Sequence, residues 1–264
     1  MPSKDTVGTW AWAELTNGRL RRRDRAELIR QGIGARLSEL PRPWRRDSGH
    51  ALNPLDLPDP PDSALARDAE ELVREVSAPA LYGHCLRTWA FSALFARRDR
   101  VAHDEEILFL ACVLHDLGLT DAHNGHDATA GCFAVEGARA AHSWVTGHGE
   151  PESRALAVAE AISLHLNIDV GADQGAEAAL LSKGVTLDVV GRRLGELPAE
   201  DVSEVNSRWP REGSGALLID TTGQQARVRP DSRAALLHRL GFERLVKANP
   251  MDRASSELES QSPL

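Results

Sequence analysis

Between Ala64 and Gly191 the apolar residues recur at spacings of three and four, through stretches rich in alanine and leucine. That period marks one face of an α-helix, whereas a half-buried strand alternates every second residue. Aromatic residues make up only 5% of the chain, so the side chains that favour strands are scarce too. The chain is therefore predicted to be all-α. Helical patterns run over about 64–76, 79–98, 104–117, 128–147 and 152–166, separated by short breaks carrying Gly, Asp or Asn. An amphipathic segment from about Trp10 to Leu40 forms an N-terminal helical extension. It is joined to the core by a proline-rich connector, Pro41 to Ser63, in which six prolines deny regular helix. Region 192–230 is expected to be irregular, a loop or short hairpin around Gly213, Gly215 and the Leu217–Thr222 run. A C-terminal helix over about Asp231 to Ala248 opens on the capping residues Asp231 and Ser232, and the polar tail from Asn249 is expected to be disordered. The predicted organisation is thus 1–63, 64–248 and 249–264.

Lys and Arg number 31 against 39 Asp and Glu, a formal charge of −8, so no global basic field exists to hold a nucleic-acid backbone or an anionic membrane. The longest apolar run, Ile107 to Leu114, falls far short of the roughly 20 residues that span a bilayer. No signal-peptide core stands at the N-terminus, and the expectation is a cytoplasmic protein with a small-molecule substrate, no nucleic-acid or membrane partner, and homo-oligomer formation left open. The three cysteines, Cys85, Cys112 and Cys132, make no zinc or redox motif and read as packing residues. The basic run Arg21 to Arg25 reads as a solvated helix face, and Trp10 and Trp12 as anchors against the core.

The informative residues are the histidines. Three of the ten are followed by Asp. His103-Asp104 stands where a helix begins, with Asp104 as N-cap and Glu105 and Glu106 in the first turn, and His126-Asp127 falls in a polar loop. His115-Asp116 instead closes an apolar helix and is carried into the interior. An unpaired buried carboxylate costs several kcal/mol, so Asp116 requires a cation or several donors, and a metal ion answers that need as well as local hydrogen bonds do. His84 and His165 lie on inward faces of their helical patterns, and Asp188 is flanked by aliphatics in Val185–Gly191. Imidazole and carboxylate without thiolate suit zinc, iron or manganese.

The order His84, His115-Asp116, Asp188 resembles the signature of the HD superfamily of metal-dependent hydrolases. More narrowly, the blocks Tyr82–Trp89, Cys112–Leu119, Phe133–Ala138, Ala159–His165 and Leu187–Gly191 resemble the cyanamide hydratase-like subgroup, over about residues 64–248. The resemblance implies an HD-type helical bundle with one catalytic divalent metal, Zn²⁺ or Fe²⁺ or alternatively Mn²⁺, held by His84, His115, Asp116 and Asp188. Phe133 stands where two-metal relatives carry a histidine, which disfavours a second ion; His142 is the displaced substitute. Where the hydratase pattern has an acid directly after the aromatic, this chain has Ala134 and supplies Glu136 two residues later.

The expected chemistry is water addition or hydrolysis on a small polar, nitrile- or amide-like substrate, with His165, Asp116 and Glu136 as the catalytic residues, His165 moving the proton. The competing expectation is phosphohydrolysis of a nucleotide or phosphomonoester, which needs cationic clamps of the kind Arg87, Lys183, Arg192 and Arg211 offer. A non-catalytic regulatory module, keeping its metal for stability, is the alternative of another class.

Overall fold

A computed structural model of the chain describes residues 6–39, 53–125 and 130–252. Among these residues there are twelve α-helices and no strand. They are α1 (Trp10–Thr16), α2 (Arg22–Glu39), α3 (Ala64–Val76), α4 (Pro79–Asp99), α5 (Glu105–Leu114), α6 (Phe133–Gly147), α7 (Glu152–Leu164), α8 (Ala176–Val190), α9 (Ala199–Arg208), α10 (Ser214–Val228), α11 (Arg233–Arg239) and α12 (Phe242–Lys247). No described helix is long and apolar enough to cross a membrane.

Local chemistry sets the boundaries of the core helices. Ser63 caps α3 by accepting from the Ala66 amide, and Pro79 occupies the first turn of α4, where its missing N–H leaves nothing unsatisfied. Asp104 accepts from the amides of Glu106 and Ile107 at 3.0 and 2.9 Å, the capping role expected of it. Gly191 ends α8 at φ +71°, in the left-handed region where a glycine has no Cβ to strain. Helix α4 runs through the middle of the molecule and is buried from Leu86 to Ala96. Gly184 lets α8 lie against it: a Cβ there would fall 2.3 Å from the Thr88 carbonyl oxygen.

A second apolar cluster covers one end of the bundle and draws both ends of the chain together: Trp12, Leu20 and Leu28 meet Leu218, Ala234 and Leu236. Trp12 is wholly buried, donates Nε1–H to Asp24 at 3.2 Å and carries the Arg233 guanidinium 5.2 Å over its ring, so the anchoring expected of it is what the structure shows.

Several boundaries differ from expectation. The segment 10–40 is two helices, because Asn17 and Gly18, at φ +50° and +81°, break it. Region 192–230 holds α9 and α10 where a loop or hairpin was expected; the run Leu217-Leu218-Ile219 is too short for its period to separate strand from helix, and Gly213, at φ +72°, opens α10. Gly241, at φ +94°, divides the C-terminal segment into α11 and α12. Helix α8 is a further element that apolar spacing alone did not delimit. The expected disordered tail does not begin at Asn249, for Asn249 and Met251 are buried; residues 253–264, Pro41 to residue 52 of the connector, and His126-Asp127 lie outside the described residues.

One contact fixes the loop that matters most. A Cβ on Gly118 would lie 2.0 Å from the Phe133 carbonyl oxygen, and one on Gly137 would lie 3.0 Å from the Gly118 amide, so α6 passes directly over the turn that follows His115-Asp116. Gly118→Ala is expected to force the backbone apart, at about 1–3 kcal/mol. In thermal denaturation it should melt well below Gly147→Ala, whose added methyl meets nothing within 4 Å; equal midpoints would refute this account of the turn.

Candidate metal centre

His84 projects from the buried face of α4, and its Nδ1 lies 2.7 Å from Asp188 Oδ2. His115 is the C-cap of α5, with Nδ1 2.7 Å from the Cys112 carbonyl oxygen. Asp116 follows at φ −105°, ψ 16°, where the chain leaves the helix, so two consecutive side chains lean the same way instead of diverging by the roughly 100° of a continuing helix. His84 Nε2 stands 3.2 Å from His115 Nε2 and 3.5 Å from Asp116 Oδ2, and His115 Nε2 stands 3.3 Å from the same oxygen. All three side chains are buried. His165, the C-cap of α7, completes the surround: its Nδ1 is 2.6 Å from the Ile162 carbonyl oxygen and its Nε2 is 3.7 Å from Asp116 Oδ1.

These hydrogen bonds decide the tautomers. A backbone carbonyl only accepts, and a carboxylate ringed by arginines does likewise, so each Nδ1 carries the proton and donates it. Each neutral imidazole then points an Nε2 lone pair into the cluster. Two imidazole lone pairs facing each other at 3.2 Å beside a carboxylate repel one another until a cation stands among them. Without a metal ion, a proton on His115 takes the place of that cation. Burial alone would push His115 down, yet Asp116 and Cys85 together outweigh it and raise the imidazole well above its ordinary value, so its Nε2 holds a proton that a metal ion would displace. Burial would likewise raise Asp116, but His115 and His84 hold it well below the carboxylate range. His165 follows burial and the neighbouring His115 and is pushed down to about 3, which keeps its Nε2 an acceptor.

His84, His115 and Asp116 therefore fit a divalent ion through two nitrogens and one oxygen, their ligand atoms all within 4.8 Å of one another. Three protein donors leave open positions on a four- to six-coordinate ion, as a reacting centre needs. The cysteines stay out: Cys85 and Cys112 are buried, and burial pushes both thiols up, away from the thiolate form.

Other expected site residues are placed elsewhere. Asp188, expected as a fourth ligand, lies at the opposite edge of the His84 ring from the cluster. Its Oδ1 and Oδ2 take Arg87 Nε and Nη2 at 2.8 and 3.0 Å, and Arg211 Nη1 also bonds Oδ1. Burial would raise its pKa, but the two guanidiniums hold it far below the usual range, so in this structure they balance its charge while Oδ2 accepts from the His84 ring. Glu136, expected beside the reacting water, is buried on α6 with Oε2 2.5 Å from Arg229 Nη2, which supplies the cation its carboxylate needs. His142 stacks on Trp10 and meets Glu152 at 3.0 Å, and is not a member of the cluster. Sequence reasoning missed Arg233, fully buried on α11, whose Nη1 donates to the Ser163 carbonyl and to Asn167 Oδ1, pinning the turn on both sides of His165. Only its position directly after the cap Ser232, where an exposed cation would be ordinary, was visible beforehand.

The model of the HD domain family matches residues 81–204. Two proteins of Saccharomyces cerevisiae (strain ATCC 204508 / S288c), cyanamide hydratase DDI2 and cyanamide hydratase DDI3, are each 31% identical to the chain over 166 residues, 61% of this chain and 72% of theirs. The chain belongs to the HD domain family. It is a metal-dependent hydrolase or hydro-lyase of that superfamily, and the all-α fold is the one the family has. In this HD protein the cluster opens into a cavity of about 610 Å³, with His84, His115, Asp116 and His165 at its floor. Leu119, Phe133, Val189 and Leu218 form part of its wall.

Proposed function

We propose that this HD protein adds water to, or hydrolyses, a nitrile- or amide-like group, the chemistry that the name of its yeast relatives suggests. The observation that carries the proposal is the convergence of three Nε2 atoms and one carboxylate at the floor of a largely apolar cavity. A divalent ion held by His84, His115 and Asp116 would polarise the substrate and bring the pKa of water toward about 7.

The residues of the chain supply the rest. The turn over Gly118 fixes His115 and Asp116, and Asp188 fixes the His84 ring. His165, locked through Nδ1, presents Nε2 to take a proton from the attacking water and return it to the substrate nitrogen. For a nitrile, the carbon–oxygen bond forms as one carbon–nitrogen π pair moves to nitrogen and takes up a proton, giving an imidic acid. Transfer of the remaining O–H proton to nitrogen then forms the C=O bond as the second carbon–nitrogen π pair moves to nitrogen, and the product is the amide, with no oxidant or second substrate. The apolar wall keeps bulk water from competing for the same protons.

Phosphohydrolysis is less well supported, because three of the four expected clamps do not line the cavity, and Arg192 at its edge is held by a backbone carbonyl. Arg87 and Arg211 are buried on Asp188, Lys183 pairs with Asp99 at 2.6 Å, and Arg192 donates to the Ile168 carbonyl at 3.0 Å. The deciding experiment gives the metal-loaded protein cyanamide and small nitriles beside p-nitrophenyl phosphate and a set of nucleotides. Hydration of the carbon–nitrogen substrates is expected, with His165→Gln lowering turnover by roughly 10²–10⁴-fold while metal content is unchanged. Release of phosphate with no hydration would overturn the proposal.

A further inference from the structure

Cyanamide has three heavy atoms, and the cavity above the centre is about 610 Å³, in the range that holds drug-sized ligands. Near the donors the wall is Leu119, Phe133, Val189 and Leu218; toward solvent it passes to residues of α2 and of the α11–α12 pair. The exposed large apolar side chains among the described residues are Leu15, Ile29, Ile33, Val228, Leu240 and Leu245. Four of the six, Ile29, Ile33, Leu240 and Leu245, line this one cavity, with exposures of 39%, 58%, 37% and 46%. Single exposed aliphatics are ordinary on a protein surface, but a cluster drawn from two distant segments and continuous with a buried polar floor marks a ligand groove. The wall brings no carboxylate besides Asp116. At its polar edge Arg192 donates to the Ile168 carbonyl, and Arg193 Nε lies 4.0 Å from Glu196.

We infer that the substrate is amphiphilic: a nitrile- or amide-like head at the metal donors, joined to an uncharged apolar body that fills the cavity and emerges between α2 and α11–α12. The inference rests on the proposed reaction and adds the class of molecule that undergoes it. Small polar molecules would react without using most of the binding surface. Longer ones would gain affinity from each carbon buried, about fourfold per methylene, until the tail reaches solvent.

The test uses the full chain loaded with metal and two straight-chain series, nitriles from acetonitrile to nonanenitrile for turnover and the matching amides for calorimetric binding. KM for the nitriles and Kd for the amides should fall by about fourfold per added carbon over the first several members, then level. Leu240→Asp, at a partly exposed position that tolerates a charge without unfolding, should flatten the gain for the longest members. Hydration of cyanamide and short nitriles with no chain-length gain in either series would refute the amphiphilic substrate and leave the reaction standing. Amides that bind more tightly with length, beside nitriles that are never hydrated, would refute the reaction and keep the apolar body. A dimer by size-exclusion chromatography that Leu240→Asp dissociates, with no chain-length gain in the parent protein, would make the mouth a subunit interface and overturn the inference.

Discussion

Asp116→Ala is expected to lose its metal and its turnover together. The candidate ligand set has one anionic member, and two neutral imidazoles alone hold a divalent ion weakly in a buried site. Purified under identical conditions without chelators, the parent protein should carry about one equivalent of metal and the variant almost none, with turnover at background. The fold should survive the change. Asp116 is compensated by imidazoles and by no obligate cation, so once His115 releases its extra proton the variant strands no buried charge. A bound metal stabilises the native state in proportion to RT ln(1 + [L]/Kd). The parent's melting temperature should therefore rise on adding zinc or iron, and the variant's should not. Full metal occupancy in Asp116→Ala would remove the carboxylate from the ligand set and the proposed mechanism with it.

What the sequence disclosed followed from how local each signal was. His115-Asp116 was legible because an ionisable pair at the end of the apolar run Ile107–Leu114 must enter the interior, and the structure buries both. Asp104 was legible because capping depends on three adjacent residues. Asp188 was half legible: its aliphatic flanks announced burial and a missing partner, but its partners come from α4 and from the segment before α10, and no spacing rule links residue 188 to residues 87 and 211. Arg87 and Arg211, read as phosphate clamps, are the cations Asp188 lacked. Glu136 was misplaced for the same reason, since Arg229 is the C-cap of α10, in a region read as irregular. The breaks at Asn17-Gly18 and Gly241 were missed because one left-handed residue interrupts a helix without disturbing the amphipathic pattern on either side.

The second large effect is expected from Asp188→Asn, and it separates an aiming residue from a metal ligand. The substitution keeps shape and an oxygen for His84 Nδ1 while removing the charge that balances Arg87 and Arg211, both buried. Arg211 keeps Asp252 at 2.7 Å, but Arg87 is left buried without an anion, at a cost of about 3–5 kcal/mol, so the urea midpoint of the metal-free protein should fall sharply. Metal affinity should fall only about 10–100-fold, because the ring is less firmly aimed while every donor remains. Were Asp188 itself bound to the ion, the pattern would invert: metal affinity would collapse as in Asp116→Ala, and the metal-free protein would keep its stability. The double variant Asp188→Asn with Arg211→Met supplies the control. Removing one of the two guanidiniums that faced the lost charge should restore part of the lost stability, and the coupling read from the mutant cycle should be of order 0.5–3 kcal/mol, as for residues sharing one ion-pair network. Strict additivity of the two changes would mean that Arg211 does not balance Asp188, leaving the orientation of His84, and hence the convergence of the donors, without its physical cause.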